Sequence, residues 1–151
     1  NPKDAIAYYN RGNSWYHKGD YDRAIGDYNK AIELNPKYAI AYSNRGNSWQ
    51  NKGEHDRAIG DYNKAIELNS KYAEIYYNRG NSWYHKGDYD RAIGDYNKAI
   101  ELNPKDAEAY RNRGVTWEQK GNLSNALADA EKALQLNPSF TNANNDVERY
   151  R

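Results

Sequence analysis

Apolar side chains recur at steps of three and four residues along this chain, the spacing that places them on one face of an α-helix. The pattern is clearest between Tyr21 and Leu34, where the apolar positions are Tyr21, Ala24, Ile25, Tyr28, Ala31 and Ile32. We predict one helix there and another from about Ala5 to Lys18, joined by a turn at Gly19 with Asp20 as the N-cap. Asn35 should end the later helix in a left-handed conformation, because the proline that follows cannot continue it.

This pair of helices recurs with a fixed step. Tryptophan recurs every 34 residues, at Trp15, Trp49, Trp83 and Trp117. A fixed period of this length is typical of solenoids, in which each repeat packs only on its neighbours. We therefore predict a single array over residues 1–151. Its repeats are 5–38, 39–72, 73–106 and 107–140.

The end of the chain follows a different pattern. Phe140, Ala143, Val147 and Tyr150 form one apolar stripe in an otherwise polar stretch. We predict that 141–151 is a C-terminal capping helix, because a terminal repeat needs a solvated outer face. Nothing similar precedes the first repeat, so the start of the array is expected to be uncapped.

The spacing of Tyr8, Arg11, Gly12 and Trp15 resembles the tetratricopeptide repeat over nearly the whole chain. The matching positions that follow are Ala24 and Tyr28 in the second helix and Pro36 after it. Two positions depart from the family pattern: Tyr8 replaces the usual Trp, and Arg11 replaces the usual Leu. The resemblance implies an all-α fold, a right-handed superhelical solenoid of antiparallel helix pairs.

The arginine that replaces leucine recurs in every repeat, and so does an aspartate on the second helix. In an antiparallel helix pair these positions lie near each other, so we predict a bidentate Arg–Asp pair in each repeat, with the arginine stem packed on tryptophan. The pairs are Arg11–Asp27, Arg45–Asp61, Arg79–Asp95 and Arg113–Asp129. The alternative is a site for an anionic ligand.

The resemblance to tetratricopeptide repeat proteins also implies a function. Proteins of this family serve as peptide-binding scaffolds, and their ligands usually lie along the surface formed by the first helix of each repeat. The residues expected to face this groove are Tyr9, Asn10, Asn13, Tyr16, His17, Asn44, Asn47, Tyr77, Asn78, Asn81, Tyr84, His85, Arg111 and Asn112. An asparagine amide offers both a donor and an acceptor, which match one peptide unit. The sequence therefore suggests an asparagine ladder that binds an extended peptide by its backbone. The alternative is that these amides contact solvent or bond to their neighbours.

One ligand class of the family is disfavoured. Repeats that bind the carboxylate tails of heat-shock chaperones carry basic residues where this chain has Tyr9, Glu74 and Asn78.

Composition limits the other possible functions. The formal net charge is +1 and like charges form no block, which disfavours general attraction to nucleic acid or membranes. Binding of single-stranded RNA, with bases stacked on tyrosines, is the weaker alternative, because such binding depends on neutralisation of the phosphates and the net charge of this chain is close to zero. Self-assembly through the uncapped start is the other alternative.

No chemistry beyond binding is indicated. There is no cysteine, His17 and His85 are two repeats apart, and no nucleophile, base and orienting group share a plausible spacing. We expect no enzymatic activity, no metal site and no cofactor. No apolar run is long enough to span a membrane. A cytoplasmic location is expected, with the periplasm and other compartments left open.

Overall fold

The structure is a computed structural model that describes residues 2–151; Asn1, the first residue of the predicted array, lies outside the described residues. The helices are α1 (Pro2–His17), α2 (Tyr21–Leu34), α3 (Ala39–Asn51), α4 (His55–Leu68), α5 (Ala73–His85), α6 (Tyr89–Leu102), α7 (Ala107–Gln119), α8 (Leu123–Leu136) and α9 (Thr141–Tyr150). Residues 2–151 contain no β-strand. The predicted all-α fold class is therefore confirmed.

The turn between the two helices of a repeat forms as the sequence predicts. Gly19 adopts a φ of 78°, a left-handed conformation that glycine takes without a steric penalty. The side chain of Asp20 then accepts a hydrogen bond from the backbone N–H of Arg23, at 3.1 Å, and caps α2.

The end of α2 differs from the prediction. Asn35 has φ −140° and ψ 88°, so it is extended and not left-handed. The proline that follows is not required for this conformation, because Asn69 precedes Ser70 and is also extended, with φ −155° and ψ 109°. The Asn35 side chain still stabilises the turn, since its Oδ1 accepts a hydrogen bond from the N–H of Lys37 at 3.2 Å.

The described residues fall into two compact units, one that ends at residue 75 and one over 76–151, and the division lies within α5. In the first unit α1 packs on α2, α2 on α3, and α3 on α4. In the second unit α6 packs on α7, α7 on α8, and α8 on α9. The proposal of a single array with the stated repeat boundaries stays a prediction.

A buried tyrosine fills the space between the two helices of each of the first three repeats. Tyr28 is fully buried beside Gly12, where an added Cβ would lie 2.7 Å from the tyrosine ring. Gly12 is therefore required for close packing of α1 on α2. Tyr62 and Tyr96 have the same role, beside Gly46 and Gly80.

Candidate functional site

The Arg–Asp pairs form in all repeats. Arg45 donates from Nε to Asp61 Oδ2 at 2.8 Å and from Nη2 to Asp61 Oδ1 at 2.6 Å, a bidentate geometry. The hydrogen bonds to Asp61 raise the pKa of Arg45, against the opposing effect of burial. The same bidentate contacts join Arg11 to Asp27, Arg79 to Asp95 and Arg113 to Asp129. Because each of these arginines is occupied by its own carboxylate, the geometry favours the structural pair over an anion site.

The guanidinium groups of these arginines lie over tyrosine rings, and the packing of the arginine stems on tryptophan stays a prediction. The guanidinium of Arg45 lies over the ring of Tyr42, 5.5 Å from its centroid, because it turns towards Asp61. Trp49 is covered by Arg57 of α4, 4.6 Å from the ring centroid. Lys52, which follows α3, also lies over this ring, 5.5 Å from its centroid, so the cations over Trp49 come from the turn and from the second helix.

The buried tyrosines orient one set of groove asparagines. The hydroxyl of Tyr28 donates to Oδ1 of Asn13 at 2.6 Å, and Tyr62 and Tyr96 make the same bond to Asn47 and Asn81. Burial raises the pKa of each of these three tyrosines far above its usual value. Each phenol therefore keeps its proton and donates it, so the Nδ2 group of the asparagine points away from the tyrosine.

A second set of asparagines links neighbouring repeats. Nδ2 of Asn44 donates to the hydroxyl of Tyr9 and to Oδ1 of Asn13, both at 3.0 Å. In the second unit, Nδ2 of Asn112 donates to Tyr77 at 2.9 Å and to Oδ1 of Asn81 at 3.1 Å. We call Asn13 with Asn44 the first amide pair, and Asn81 with Asn112 the second amide pair.

Each amide pair satisfies part of its own hydrogen-bonding capacity. Both Nδ2 hydrogens of Asn44 are used within the protein, as the neighbour-bonding alternative expects. Asn13 accepts its hydrogen bonds on Oδ1, and its Nδ2 group donates none to residues 2–151. The atoms left for a ligand are therefore Nδ2 of Asn13 and Oδ1 of Asn44.

The remaining predicted groove residues have different surroundings. Asn10, His17 and His85 are exposed, and Asn78 is half-buried. Tyr16 accepts a hydrogen bond from Asn51 at 3.1 Å. Tyr16 and Tyr84 lie edge-on to the histidines that follow them, with ring centroids 5.7 Å apart. These aromatic residues lie further along the same helices than the asparagines.

Arg111 has a partner that sequence reasoning missed. Its Nε donates to Oδ2 of Asp146 at 2.7 Å, and Asp146 is only 2% exposed. The spacing from Arg111 to Asp146 equals that from Tyr9 to Asn44, so the sequence contained a signal for this contact. Arg111 thus links the terminal helix to α7, and its charge is compensated.

A second contact attaches the terminal helix. Glu118 accepts hydrogen bonds from Arg149 at 2.8 Å and from the hydroxyl of Tyr150 at 2.7 Å. Partial burial opposes ionisation of Glu118, but the hydrogen bonds from Arg149 and Tyr150 outweigh it, and the pKa of Glu118 is lowered.

Among residues 2–151, no group of three or more His, Asp or Glu side chains is arranged to hold a metal ion. The described helices include none with the length and apolarity that crossing a membrane requires.

Comparison with protein families agrees with the repeat pattern. A family profile described as the tetratricopeptide repeat matches residues 5–38, 73–106 and 107–140. Two further profiles, described as TPR repeat and tetratricopeptide repeat, match residues 51–85 and 27–60. No curated protein matches the sequence significantly.

Solved structures similar to this chain include proteins described as TPR proteins. A crystal structure of MamA protein is 26% identical, with a TM-score of 0.90 over 98% of this chain and 81% of that one. YrrB, described as a TPR protein with an unusual peptide-binding site, is 27% identical, with a TM-score of 0.84 over 99% of this chain and 77% of its own. The first TPR of Spaghetti (RPAP3), bound to the HSP90 peptide SRMEEVD, is 26% identical, with a TM-score of 0.78 over 80% and 96% of the respective chains.

Proposed function

Because this chain belongs to the tetratricopeptide repeat family, we propose that it is a protein–protein interaction scaffold that binds an extended peptide through its groove asparagines. Two similar structures support this proposal: YrrB is described by its peptide-binding site, and the RPAP3 repeat is bound to a peptide. The observation that carries the proposal is that each amide pair keeps one donor and one acceptor that make no hydrogen bond within the described residues.

An amide pair offers one donor and one acceptor in a fixed orientation. Tyr28 and Asn44 both donate to Oδ1 of Asn13, which turns its Nδ2 group outwards. Asn44 uses its Nδ2 for Tyr9 and Asn13, which leaves its Oδ1 as an acceptor. A peptide unit of a ligand has one C=O and one N–H, and it matches this combination. The ladder is therefore a set of coupled pairs in which the donor and the acceptor come from neighbouring repeats.

Backbone recognition explains why the amides are held so firmly. An amide that is already oriented loses little conformational freedom on binding, so more of each hydrogen bond appears as affinity. A net hydrogen bond is worth about 0.5–1.5 kcal/mol, so two bonds to one peptide unit contribute about 1–3 kcal/mol. This binding tolerates many ligand sequences.

The test uses a substitution that spares the internal network. Asn13→Asp keeps an oxygen for Tyr28 and Asn44 but replaces the outward Nδ2 with a charged oxygen. A peptide is first selected on the unmodified protein from a random 12-residue library displayed on phage, and its affinity is measured by calorimetry. We expect Asn13→Asp to weaken binding of a peptide held at the first amide pair by at least about two- to 12-fold, because it removes one of the two hydrogen bonds, worth about 0.5–1.5 kcal/mol, and places a carboxylate oxygen opposite the peptide C=O.

The matched control is Asn125→Asp, which makes the same change of charge at an exposed position of α8. It should bind the peptide as tightly as the unmodified protein, and circular dichroism should show that both variants are folded. If neither Asn13→Asp nor the equivalent Asn81→Asp binds the peptide more weakly than Asn125→Asp, neither amide pair contacts the ligand and the proposal fails.

A second candidate function is self-association through the first helix. The side chain of Arg11 is 62% exposed, whereas that of Arg45 is 22% exposed, because Arg45 also donates to Asn29 of the preceding repeat at 2.8 Å. A notch of about 560 Å³ beside Arg11 is lined partly by the apolar side chains of Ala7, Tyr8 and Leu34. The corresponding face of the second repeat is covered by the first repeat. We propose that a second copy of the chain covers this face of the first repeat.

Sedimentation velocity over a range of protein concentrations tests self-association. We expect concentration-dependent dimers that Tyr8→Glu abolishes. Leu123→Glu, at a residue that is 53% exposed on α8, is the control and should leave the dimers intact. A protein that stays monomeric at millimolar concentration contradicts this second candidate.

A further inference from the structure

The two amide pairs have the same frame but different flanking residues. Residues 8–37 and 76–105 are identical in sequence, so the tyrosines that orient the two pairs are identical as well. The flanks differ at matching positions: Tyr38 and Ile40 beside the first pair correspond to Asp106 and Glu108 beside the second. The chain therefore contains a natural comparison in which only the surroundings of the amides change.

The flank of the first amide pair is apolar. The ring of Tyr38 lies 5.1 Å from that of Tyr9, which accepts the hydrogen bond from Asn44. Ile40 precedes Asn44 by one helical turn, on the same face of α3, and is 38% exposed. Ile6, at the same position of α1, is 51% exposed. A ligand side chain beside this pair meets aromatic and aliphatic surface and no charge of a flanking residue.

The flank of the second amide pair is acidic. Asp106 caps α7 by accepting a hydrogen bond from the N–H of Ala109 at 3.2 Å, and exposed Glu108 precedes Asn112 by one helical turn. Burial raises the pKa of Tyr77, and the charges of Glu108 and Asp106 raise it further, so both carboxylates lie close to the pair.

These carboxylates have no cationic partner of their own. Within residues 2–151 neither Asp106 nor Glu108 forms an ion pair, and Arg111, on the same helix, is bound to Asp146 at 2.7 Å. The second pair is therefore flanked by two carboxylates that form no ion pair, whereas the Tyr38 and Ile40 flank of the first carries no charge.

We propose that the two amide pairs select different side chains of their peptide ligands. The first pair takes an extended segment with an apolar side chain next to the bound peptide unit, because Tyr38 and Ile40 remove that side chain from water. The second pair takes a segment with lysine or arginine there, which complements Asp106 and Glu108. This inference rests on the proposed function, since it needs the amide pairs to bind peptide backbone.

The experiment isolates each pair by disabling the other one. Asn81→Asp leaves the first pair intact, and Asn13→Asp leaves the second intact. The random 12-residue phage library is selected on each of these two proteins. We expect aliphatic and aromatic residues to be enriched at least about fivefold on Asn81→Asp, and lysine and arginine to be enriched similarly on Asn13→Asp.

The chain itself supplies the matched exchange of flanks. Tyr38→Asp with Ile40→Glu, made on Asn81→Asp, gives the first pair the flank of the second, and its preference should change from apolar to basic. Glu108→Gln on Asn13→Asp keeps the helix cap at Asp106 and should reduce the enrichment of basic residues. Raising the NaCl concentration from 50 to 500 mM should weaken the binding of selected basic peptides about tenfold or more and leave the binding of apolar peptides nearly unchanged.

The outcomes separate the two levels of the proposal. If no peptide is selected on the unmodified protein, the proposed function fails and this inference fails with it. If peptides bind and depend on the asparagines, but the enriched residues are the same on both single-pair proteins and do not respond to the exchange of flanks, the inference alone is overturned.

Discussion

Replacement of Gly26, Gly60 and Gly94 by alanine should stabilise the protein. These glycines are exposed and lie within α2, α4 and α6, and a Cβ added at any of them would meet no atom within 4 Å. Their φ angles are negative, so alanine fits the backbone without strain. The fourth repeat already has alanine at the equivalent position, Ala128.

The magnitude follows from the conformational freedom that glycine has in the unfolded chain. Glycine in a helix interior costs about 0.5–1 kcal/mol relative to alanine. The three sites lie in different repeats and share no contacts, so their effects should add to about 1.5–3 kcal/mol. For a chain of this size, that corresponds to a rise in melting temperature of about 3–12 °C.

A second set of glycines provides the control. A Cβ at Gly46 would lie 2.8 Å from the ring of Tyr62, and one at Gly12 or Gly80 would be equally close to a buried tyrosine ring. Gly46→Ala should therefore destabilise the protein by about 1–3 kcal/mol, as other overpacked cores do. Thermal and urea unfolding, followed by circular dichroism, measure both effects.

The predicted stabilisation is refuted if the Gly26, Gly60 and Gly94 variant melts no higher than the unmodified protein while its far-ultraviolet spectrum is unchanged. It is also refuted if Gly46→Ala is as stable as that variant, because the two sets would then not differ in packing.

Two further predictions concern the ion pairs. Asp61→Ala should lower the free energy of unfolding by up to about 3 kcal/mol, because it leaves the mostly covered guanidinium of Arg45 without its carboxylate. Urea unfolding should show a smaller loss for Asp27→Ala, because its partner Arg11 is largely exposed. Adding Arg45→Leu to Asp61→Ala should restore part of the lost stability. Because the pKa of Glu118 is lowered in the folded state, its ionised form contributes fully to stability above the ordinary pKa of 4.5, and this contribution is lost as the pH falls through the folded-state pKa. Glu118→Gln should therefore have a lower melting temperature than the unmodified protein at pH 6, and the difference should shrink below pH 4.5. A difference between these two proteins that is independent of pH contradicts the second prediction.

Local patterns were the most predictable part of the structure. Helical periodicity predicted α2 with its observed ends, and the Gly19–Asp20 turn formed with the predicted cap. The bidentate pair of Arg45 and Asp61 was also predictable, because an antiparallel helix pair brings those two positions together. In each case the partners lie within one repeat, where the spacing in sequence determines the spacing in space.

Contacts between repeats were much less predictable. A period identifies the helix face on which Asn44 lies, but a polar group on that face can bond to water, to a ligand or to the neighbouring repeat. Its bonds to Tyr9 and Asn13 depend on how far apart α1 and α3 lie, which no single repeat specifies. The same reason explains why Arg111 was assigned to the groove, although it contacts Asp146.

The last junction shows how these contacts can end the ligand-binding surface. Where Tyr9 accepts a hydrogen bond from Asn44, Arg111 at the equivalent position forms an ion pair with Asp146. Both oxygens of Asp146 contact arginines, Oδ2 with Arg111 and Oδ1 with Arg149 at 3.1 Å, and the residue is only 2% exposed, so a peptide cannot reach either oxygen. A neutral Tyr–Asn contact leaves an amide oxygen available, whereas a buried Arg–Asp contact leaves none. On this argument the junction of α7 with α9 contributes stability alone, and the last backbone-binding group of the proposed groove is Oδ1 of Asn112.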